Sequence, residues 1–338
     1  MNLKHIISAS QFDKDTLRQI FSLTDEIKEG NYESRALDGK IMATLFYQPS
    51  TRTRLSFESS MLKLGGAVIT TENAAEFSSA IKGETLEDTV RVVNFYADVI
   101  IIRHPESGAT NLASRYSKVP IINAGDGVGE HPTQALMDIY TIFNKLRSTD
   151  FTIAICGDHA NYRPHHSLSY LLSLYPKVKI IYVSPKMLSM PGKLRQHLKQ
   201  KKIQFKETEN FYDSISKADV IYQGRIPKEY LGKDYKRHVG KYILDKKGLK
   251  LIKKSAIIMH PLPRVNEITS DVDKDPRAIY FEEAQNGLFI RMALLLYIFD
   301  KVILKYQRIS LHPVKIIPKG KSPKKKVVLS SKKGDIRE

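Results

Sequence analysis

Short apolar runs recur along this chain, each separated from the next by residues with helical spacing, and that alternation constrains the fold more than any other feature. One series is 40–46 (Lys-Ile-Met-Ala-Thr-Leu-Phe), 67–70, 98–102 and 120–123; a second is 151–156, 178–183, 219–222 and 256–259. Runs this short and this apolar suit strands buried on both faces, as in parallel sheets covered by helices. Between them, Leu17, Ile20, Phe21, Leu23 and Ile27 mark one helix within 13–29, and Phe57, Met61 and Leu64 mark another that Gly65-Gly66 ends. A further helix is expected over 84–96. Leu136, Ile139, Tyr140 and Phe143 lie on one face of a long helix beginning near Pro132. The fold class is therefore α/β, with two parallel-sheet domains linked by two long interdomain helices. The expected division is 1–147, 148–285, a C-terminal helix over 286–305 that packs back on the first domain, and a basic, disordered tail over 306–338. The first boundary falls between Lys145 and Asp150.

The length of 338 residues agrees with two domains. One cysteine, Cys156, excludes an intrachain disulfide and any Cys-rich metal site, and makes a reducing, cytoplasmic setting the default. The first residues contain no apolar run suited to a secretory signal. Arg291, Asp300 and Lys301 interrupt the greasiest stretch, 288–304, so no membrane span is expected. Net charge is +18, unevenly placed: 306–338 holds 10 basic and 2 acidic residues, and 171–210 holds 9 and 2. Such clusters fit either phosphorylated or polyanionic partners or a plain solvated face.

Ligands of open parallel sheets bind at the carboxyl ends of strands. After the 40–46 run comes Tyr47-Gln-Pro-Ser50-Thr51-Arg52-Thr53-Arg54, leading straight into a helix. Ser50 can cap that helix, and hydroxyls and a guanidinium at a helix N-terminus make an anion site suited to phosphate. An ordinary serine cap with exposed arginines is the competing reading. Arg103 ends the 98–102 run. His131-Pro-Thr-Gln134 opens the long helix, where the positive helix end opposes protonation of His131 and leaves a neutral imidazole able to donate to a carbonyl; a capping histidine is the alternative. His260-Pro261-Leu262-Pro263-Arg264 cannot form regular helix and would present backbone carbonyls at a strand end. No dinucleotide glycine fingerprint and no P-loop is present. His104, His165 and His166 lack metal-site spacing, and Ser50 has no base nearby in sequence. Chemistry on a bound anion by positioning and electrostatics remains.

Five ordered motifs, Phe46-Tyr-Gln-Pro-Ser-Thr-Arg-Thr-Arg-Leu-Ser-Phe-Glu, Lys82-Gly-Glu-Thr-Leu-Glu-Asp-Thr, Arg103-His-Pro, His131-Pro-Thr-Gln and His260-Pro-Leu-Pro-Arg, together resemble aspartate carbamoyltransferase catalytic chains. The likeness covers about residues 1 to 305. It implies transfer of a carbamoyl group from carbamoyl phosphate to the amine of L-aspartate, within pyrimidine biosynthesis, by a homotrimer with active sites shared between neighbours. On that resemblance the catalytic residues are Arg52, Thr53, Arg103 and His131. Carbamoyl phosphate would be held by Ser50, Thr51, Arg52, Thr53, Arg103, His131, Gln134 and the carbonyls of Pro261 and Leu262, with Ser78 and Lys82 donated by an adjacent subunit. Aspartate would be held by Lys82, Arg163, Arg225 and Leu262. The resemblance implies no cofactor and no metal, and leaves room for a regulatory chain or a pathway enzyme; neither a membrane nor a nucleic-acid partner is expected.

The acceptor side departs from the family pattern. Gly157-Asp-His-Ala-Asn-Tyr-Arg163-Pro164-His-His-Ser167 stands where members commonly have Gly-Asp-Leu-Lys-Tyr-Gly-Arg-Thr-x-His-Ser. Pro227 replaces a glutamine that contacts substrate, and Gln48 stands where many members carry a glutamate. Three readings stay open: the aspartate enzyme, a transcarbamoylase with another acceptor amine, and a non-catalytic basic binding protein on the same fold. His260-Pro261-Leu262-Pro263 is the aspartate-type loop; ornithine-type relatives usually carry a cysteine there.

Overall fold

Both series of apolar runs are strands, and they build two separate parallel sheets in the computed structural model, which describes residues 3–74, 82–228, 238 and 240–300. The first sheet contains β1 (Ile41–Phe46), β2 (Ala67–Glu72), β3 (Val99–His104) and β4 (Ile121–Asp126), in the order β2-β1-β3-β4. The second contains β5 (Thr152–Cys156), β6 (Lys179–Val183), β7 (Gln204–Thr208), β8 (Val220–Gln223) and β9 (Ile257–Met259), in the order β7-β6-β5-β8-β9. Every paired neighbour runs parallel. The central strands are sealed: Val99, Ile100, Ile101 and Ile102 expose nothing to solvent. The sequence pattern missed β7, because an edge strand reading Gln-Phe-Lys-Glu-Thr buries little and carries one large apolar residue.

Ten α-helices cover the sheets among the described residues. They are α1 (Lys14–Lys28), α2 (Thr51–Lys63), α3 (Leu86–Val93), α4 (Ala109–Tyr116), α5 (Pro132–Leu146), α6 (Arg163–Leu172), α7 (Gly192–Gln200), α8 (Phe211–Lys217), α9 (Lys246–Leu251) and α10 (Tyr280–Ile298). Asp13 caps α1 by accepting from the Thr16 N–H at 2.7 Å. The expected helix over 84–96 is shorter, as α3, and starts where Thr85 accepts from the Asp88 N–H.

α10 corrects one boundary. It begins at Tyr280, six residues before the expected Asn286, because the polar first turn with Glu282 and Glu283 hides its start while still suiting the positive helix end. It packs on α1, α2 and α5 and touches β9, so one helix serves both halves. Polar contacts fix it there: Lys28 Nζ donates to Asn286 Oδ1 at 3.1 Å, and Asn286 Nδ2 donates to Thr141 Oγ1 at 3.0 Å. The expected end of this helix beyond 300 and the basic tail 306–338 lie outside the described residues. No helix among the described residues is long and apolar enough to cross a membrane.

Strand order locates the functional region. In each sheet the order reverses once, between β1 and β3 in the first and between β5 and β8 in the second. Such reversals open a crevice at the strands' carboxyl ends. Both crevices open onto one cleft.

Candidate active site

The cleft, of about 420 Å³, is lined by the segments that leave these strands. From the first half come Gln48, Ser50, Arg52 and Thr53 after β1, Arg103 at the end of β3, and Gly127, Val128 and His131 after β4. From the second come Asp158, Tyr162, Arg163 and Pro164 after β5, Arg225 and Pro227 after β8, and Pro261, Leu262 and Pro263 after β9.

Ser50 occupies the N-cap position of α2, yet its side chain makes no capping hydrogen bond. The expectation that it caps the helix is therefore not met, and the hydroxyl stays available at the cleft together with the first N–H groups of α2. Thr53 is 7% exposed and lines the cleft; Thr51 is exposed and outside the lining. His131 likewise stands at the N-cap of α5 without capping it; its backbone N–H donates to Ser167 Oγ at 2.8 Å. Its Nδ1 is buried without a partner among the described residues, which leaves Nε2 as the nitrogen facing the cleft. The imidazole is held well below its ordinary pKa, so it is neutral. Burial is the main cause, followed by Arg163, Arg103 and Arg291, rather than the helix end invoked from sequence. A neutral ring with a sealed Nδ1 carries its proton on Nε2, where it can donate to an oxygen in the cleft.

Four guanidiniums converge here, and among the described residues none of Arg52, Arg103, Arg163 and Arg225 pairs with a carboxylate. Arg54, one position beyond Thr53, shows the contrast: it pairs with Glu72 at 2.7 Å and Glu58 at 3.5 Å and is not part of the lining. Arg103 Nη1 donates to the Ala124 carbonyl at 3.1 Å, while its buried Nε has no partner among the described residues. Burial, then Arg163 and Arg52, pulls Arg103 down to about 9. Burial also lowers Arg163, whose Nη1 donates to the Gly127 carbonyl at 2.7 Å. Gly125, at φ 114°, makes this crowding feasible: a Cβ there would stand 3.1 Å from both Arg103 Nη1 and Arg163 Cζ. Positive charges compressed in this way favour a multiply charged anion between them.

The 260–263 loop is fixed by its own histidine. His260 Nδ1 accepts the Leu262 N–H at 2.8 Å, so the ring proton sits on Nε2 and is donated to Glu267 at 2.7 Å. Leu262 is held at φ 49°. Among the described residues neither the Pro261 nor the Leu262 carbonyl accepts a hydrogen bond, so both are free for a ligand N–H.

The structure does not bring every expected residue to this cleft. Gln134 is buried one turn into α5, with Nε2 donating to Asp138 at 2.8 Å, and stands behind the lining. Lys82 is exposed and outside the lining, and Ser78 lies outside the described residues. Sequence reasoning missed Tyr162, Gly125 and the Gly127 carbonyl; Gly-Asp-Gly at 125–127, following a strand, was the available signal. Asp158, in a segment read only as a departure, lines the cleft while accepting from the Ala160 and Asn161 N–H groups at 2.9 Å each. Among the described residues no group of three or more His, Cys, Asp or Glu side chains is arranged to hold a metal ion.

Comparisons with known proteins agree over both halves. The family model for the aspartate/ornithine carbamoyltransferase carbamoyl-P binding domain matches residues 4–144, and that for the Asp/Orn binding domain matches 149–298. The chain is 50% identical over 307 residues to the chloroplastic aspartate carbamoyltransferase of Oryza sativa subsp. japonica, covering 87% of this chain and 85% of that one. The catalytic subunit of M. jannaschii aspartate transcarbamoylase matches with a TM-score of 0.81 at 44% identity, over 88% of this chain and 99% of that one. The Trypanosoma cruzi aspartate transcarbamoylase in complex with carbamoyl phosphate and aspartate matches with a TM-score of 0.80 at 37% identity, over 86% and 94%.

Proposed function

The chain belongs to the aspartate/ornithine carbamoyltransferase family, and on that premise we propose that it transfers the carbamoyl group of carbamoyl phosphate to the amine of L-aspartate, a step of pyrimidine biosynthesis. One observation carries the reading: four arginines without carboxylate partners among the described residues meet where both sheets reverse, and together the two substrates bring a phosphate and two carboxylates. Ser50, Thr51, Arg52 and Thr53 hold the phosphate at the start of α2. Thr53, Arg103 and His131 surround the carbonyl oxygen. When the aspartate nitrogen attacks the carbonyl carbon, charge builds on that oxygen, and these fixed donors stabilise it. The bond from carbon to the phosphate oxygen then breaks, and the amine proton leaves with the phosphate. The carbonyls of Pro261 and Leu262 accept from the carbamoyl NH2. Gln134, set behind the lining, joins them through its Oε1, which the bond from its Nε2 to Asp138 leaves without a partner among the described residues. Arg163 and Arg225 bind the aspartate carboxylates.

The reading extends to a homotrimer with shared sites, in which Ser78 and Lys82 serve a neighbour. Its support is that Lys82 is exposed and outside its own chain's cleft, and that α2 presents Leu55 and Leu62 at 50% and 61% exposure. The division into 1–147, 148–285 and a closing C-terminal helix belongs to the same proposal, the helix now counted from Tyr280. Cytoplasmic placement rests on Cys156 being the lone cysteine; the rice relative is named chloroplastic, and cell fractionation decides between the two.

Pro164 and Pro227 line the acceptor wall and favour a second reading, a different acceptor amine. The test offers aspartate, ornithine and other small amino acids to the purified protein with carbamoyl phosphate. Carbamoyl aspartate is the expected main product. A clear preference for an amine lacking the second carboxylate overturns the aspartate assignment.

A further inference from the structure

Behind the cleft lies a sealed polar cluster that the reaction scheme above does not use. Asp138 of α5 exposes nothing, accepting from Gln134 Nε2 at 2.8 Å through Oδ1 and from the Tyr222 hydroxyl at 2.6 Å through Oδ2. Glu283 of α10 is equally buried; its Oε2 accepts the His260 N–H at 2.9 Å, its Oε1 has no donor among the described residues, and its side chain meets that of Asp138. Two ionised carboxylates in contact in a dry interior repel, so the pair holds one proton. Asp138 already receives two donors, whereas Glu283 Oε1 receives none, so the proton belongs on Glu283, which donates it to Asp138. Other titratable and charged groups around the pair are Tyr222 on β8, Tyr162 before α6, and Arg291 on α10, whose Nη1 donates to Ser56 Oγ at 3.1 Å. The His260 ring points away, to Glu267.

We propose that Glu283, as a neutral acid, is a positioning residue for carbamoyl transfer: through Asp138 it fixes the Gln134 side chain, and through the His260 N–H it fixes the loop that offers the Pro261 and Leu262 carbonyls. One proton thereby holds, in a single arrangement, the groups that receive the carbamoyl NH2 from both halves of the molecule. Burial and the Asp138 charge push Glu283 well above the ordinary carboxylate range, in keeping with this placement. The inference rests on the carbamoyl-transfer reading and adds a residue to it.

The experiment compares Glu283→Gln and Glu283→Leu with the unaltered protein, measuring kcat, the KM of both substrates and the melting temperature from pH 6 to pH 10. A glutamine reproduces both hydrogen bonds, donating to Asp138 and accepting from His260, without a proton to lose. Glu283→Gln is expected to keep kcat within about threefold at neutral pH and to move the alkaline fall of kcat upward by about one pH unit or more. Glu283→Leu is expected to lose about tenfold or more in kcat with little change in the carbamoyl phosphate KM, because the phosphate contacts are untouched. Equal damage in both variants, or an unchanged alkaline limb in Glu283→Gln, overturns the proposal, and the second criterion holds even if Glu283→Leu fails to fold. If the unaltered protein makes no carbamoyl aspartate, the function reading fails separately. The cluster is then judged by melting alone: Glu283→Gln must flatten the alkaline decline in melting temperature, and an unflattened decline overturns it.

Discussion

The two walls of the cleft are built from the same structural idea, a reversal in strand order, yet they differ in how their groups are held. On the donor wall, Ser50 and Thr53 sit at a helix start, Arg103 ends a strand and His131 begins a helix, so regular elements fix each one. On the acceptor wall, Arg225 and Pro227 follow β8 without regular structure, and Arg163 starts α6 beside Pro164. The acceptor wall also borrows from its neighbour, since Arg163 is tethered to the Gly127 carbonyl of the first half. The donor groups of this chain's own cleft that face the phosphate, at 50–53, lie within one half, whereas the carboxylate site depends on how the halves meet.

Arg52→Ala tests the donor wall and should have the largest effect. Loss of one charge-assisted contact costs about 1.5–3 kcal/mol, roughly 10- to 150-fold, and more where charge builds in the transition state. Carbamoyl transfer should become negligible with the fold intact, as read by product formation and circular dichroism; near-normal turnover would remove the phosphate site from the 50–53 segment. Mixing that variant with an equally inactive Lys82→Ala chain should restore part of the activity, because some mixed trimers contain a site built from two unaltered contributions. Remixed trimers of verified mass with no recovered turnover would sink the shared site.

Arg225→Ala addresses the acceptor wall alone. The aspartate KM should rise about tenfold or more while the carbamoyl phosphate KM changes little. Comparable rises in both would erase the contrast between the walls.

Acid sensitivity separates them at the level of stability. His131 on the donor wall and His159 and His165 behind the acceptor wall all have pKa values lowered chiefly by burial, His159 to about 3. The unfolded chain takes up these protons below about pH 6.5 and the folded chain does not, so each such group costs up to about 1.4 kcal/mol of stability per pH unit as pH falls below that value. Glu283 acts in the opposite direction, its contribution declining as pH rises above the ordinary carboxylate value. Three histidines outweigh it, so the melting temperature should fall from pH 6.5 to pH 5. His159→Phe should flatten part of that fall, and an identical profile would show that this ring does not stay neutral.

Pro227→Gln should have the smallest effect. Restoring one neutral hydrogen bond is worth about 0.5–1.5 kcal/mol, so the aspartate KM should drop by roughly 2- to 13-fold. A rise instead would mean that the proline shapes this wall for another amine.

How much of this was legible in the sequence follows the same divide. Buried strands announce themselves by apolar runs, so all but the polar edge strand β7 could be placed, and the donor motifs sit directly after those runs. The start of α10 was hidden because Glu283 and Asn286 look solvent-facing in sequence and are buried in the fold. The cluster of Asp138, Tyr222 and Glu283 was invisible for a related reason: its members are far apart in sequence and meet only when α5, β8 and α10 pack. Ser50 and His131 could be placed at helix starts, but whether they cap or face outward depends on side-chain direction, which periodicity does not carry.

The position of α10 bears on how the chain is made. A ribosome that has released residues 1 to 150 has supplied every strand of the first sheet and the helices α1, α2 and α5, but not the helix against which those three pack. Leu17, Phe57 and Leu136 share their core with Ile290, Leu294 and Leu295, which emerge only after the whole of the second sheet. During synthesis the first half therefore waits with an open apolar flank until α10 arrives, so the core laid down first is among the last to be closed.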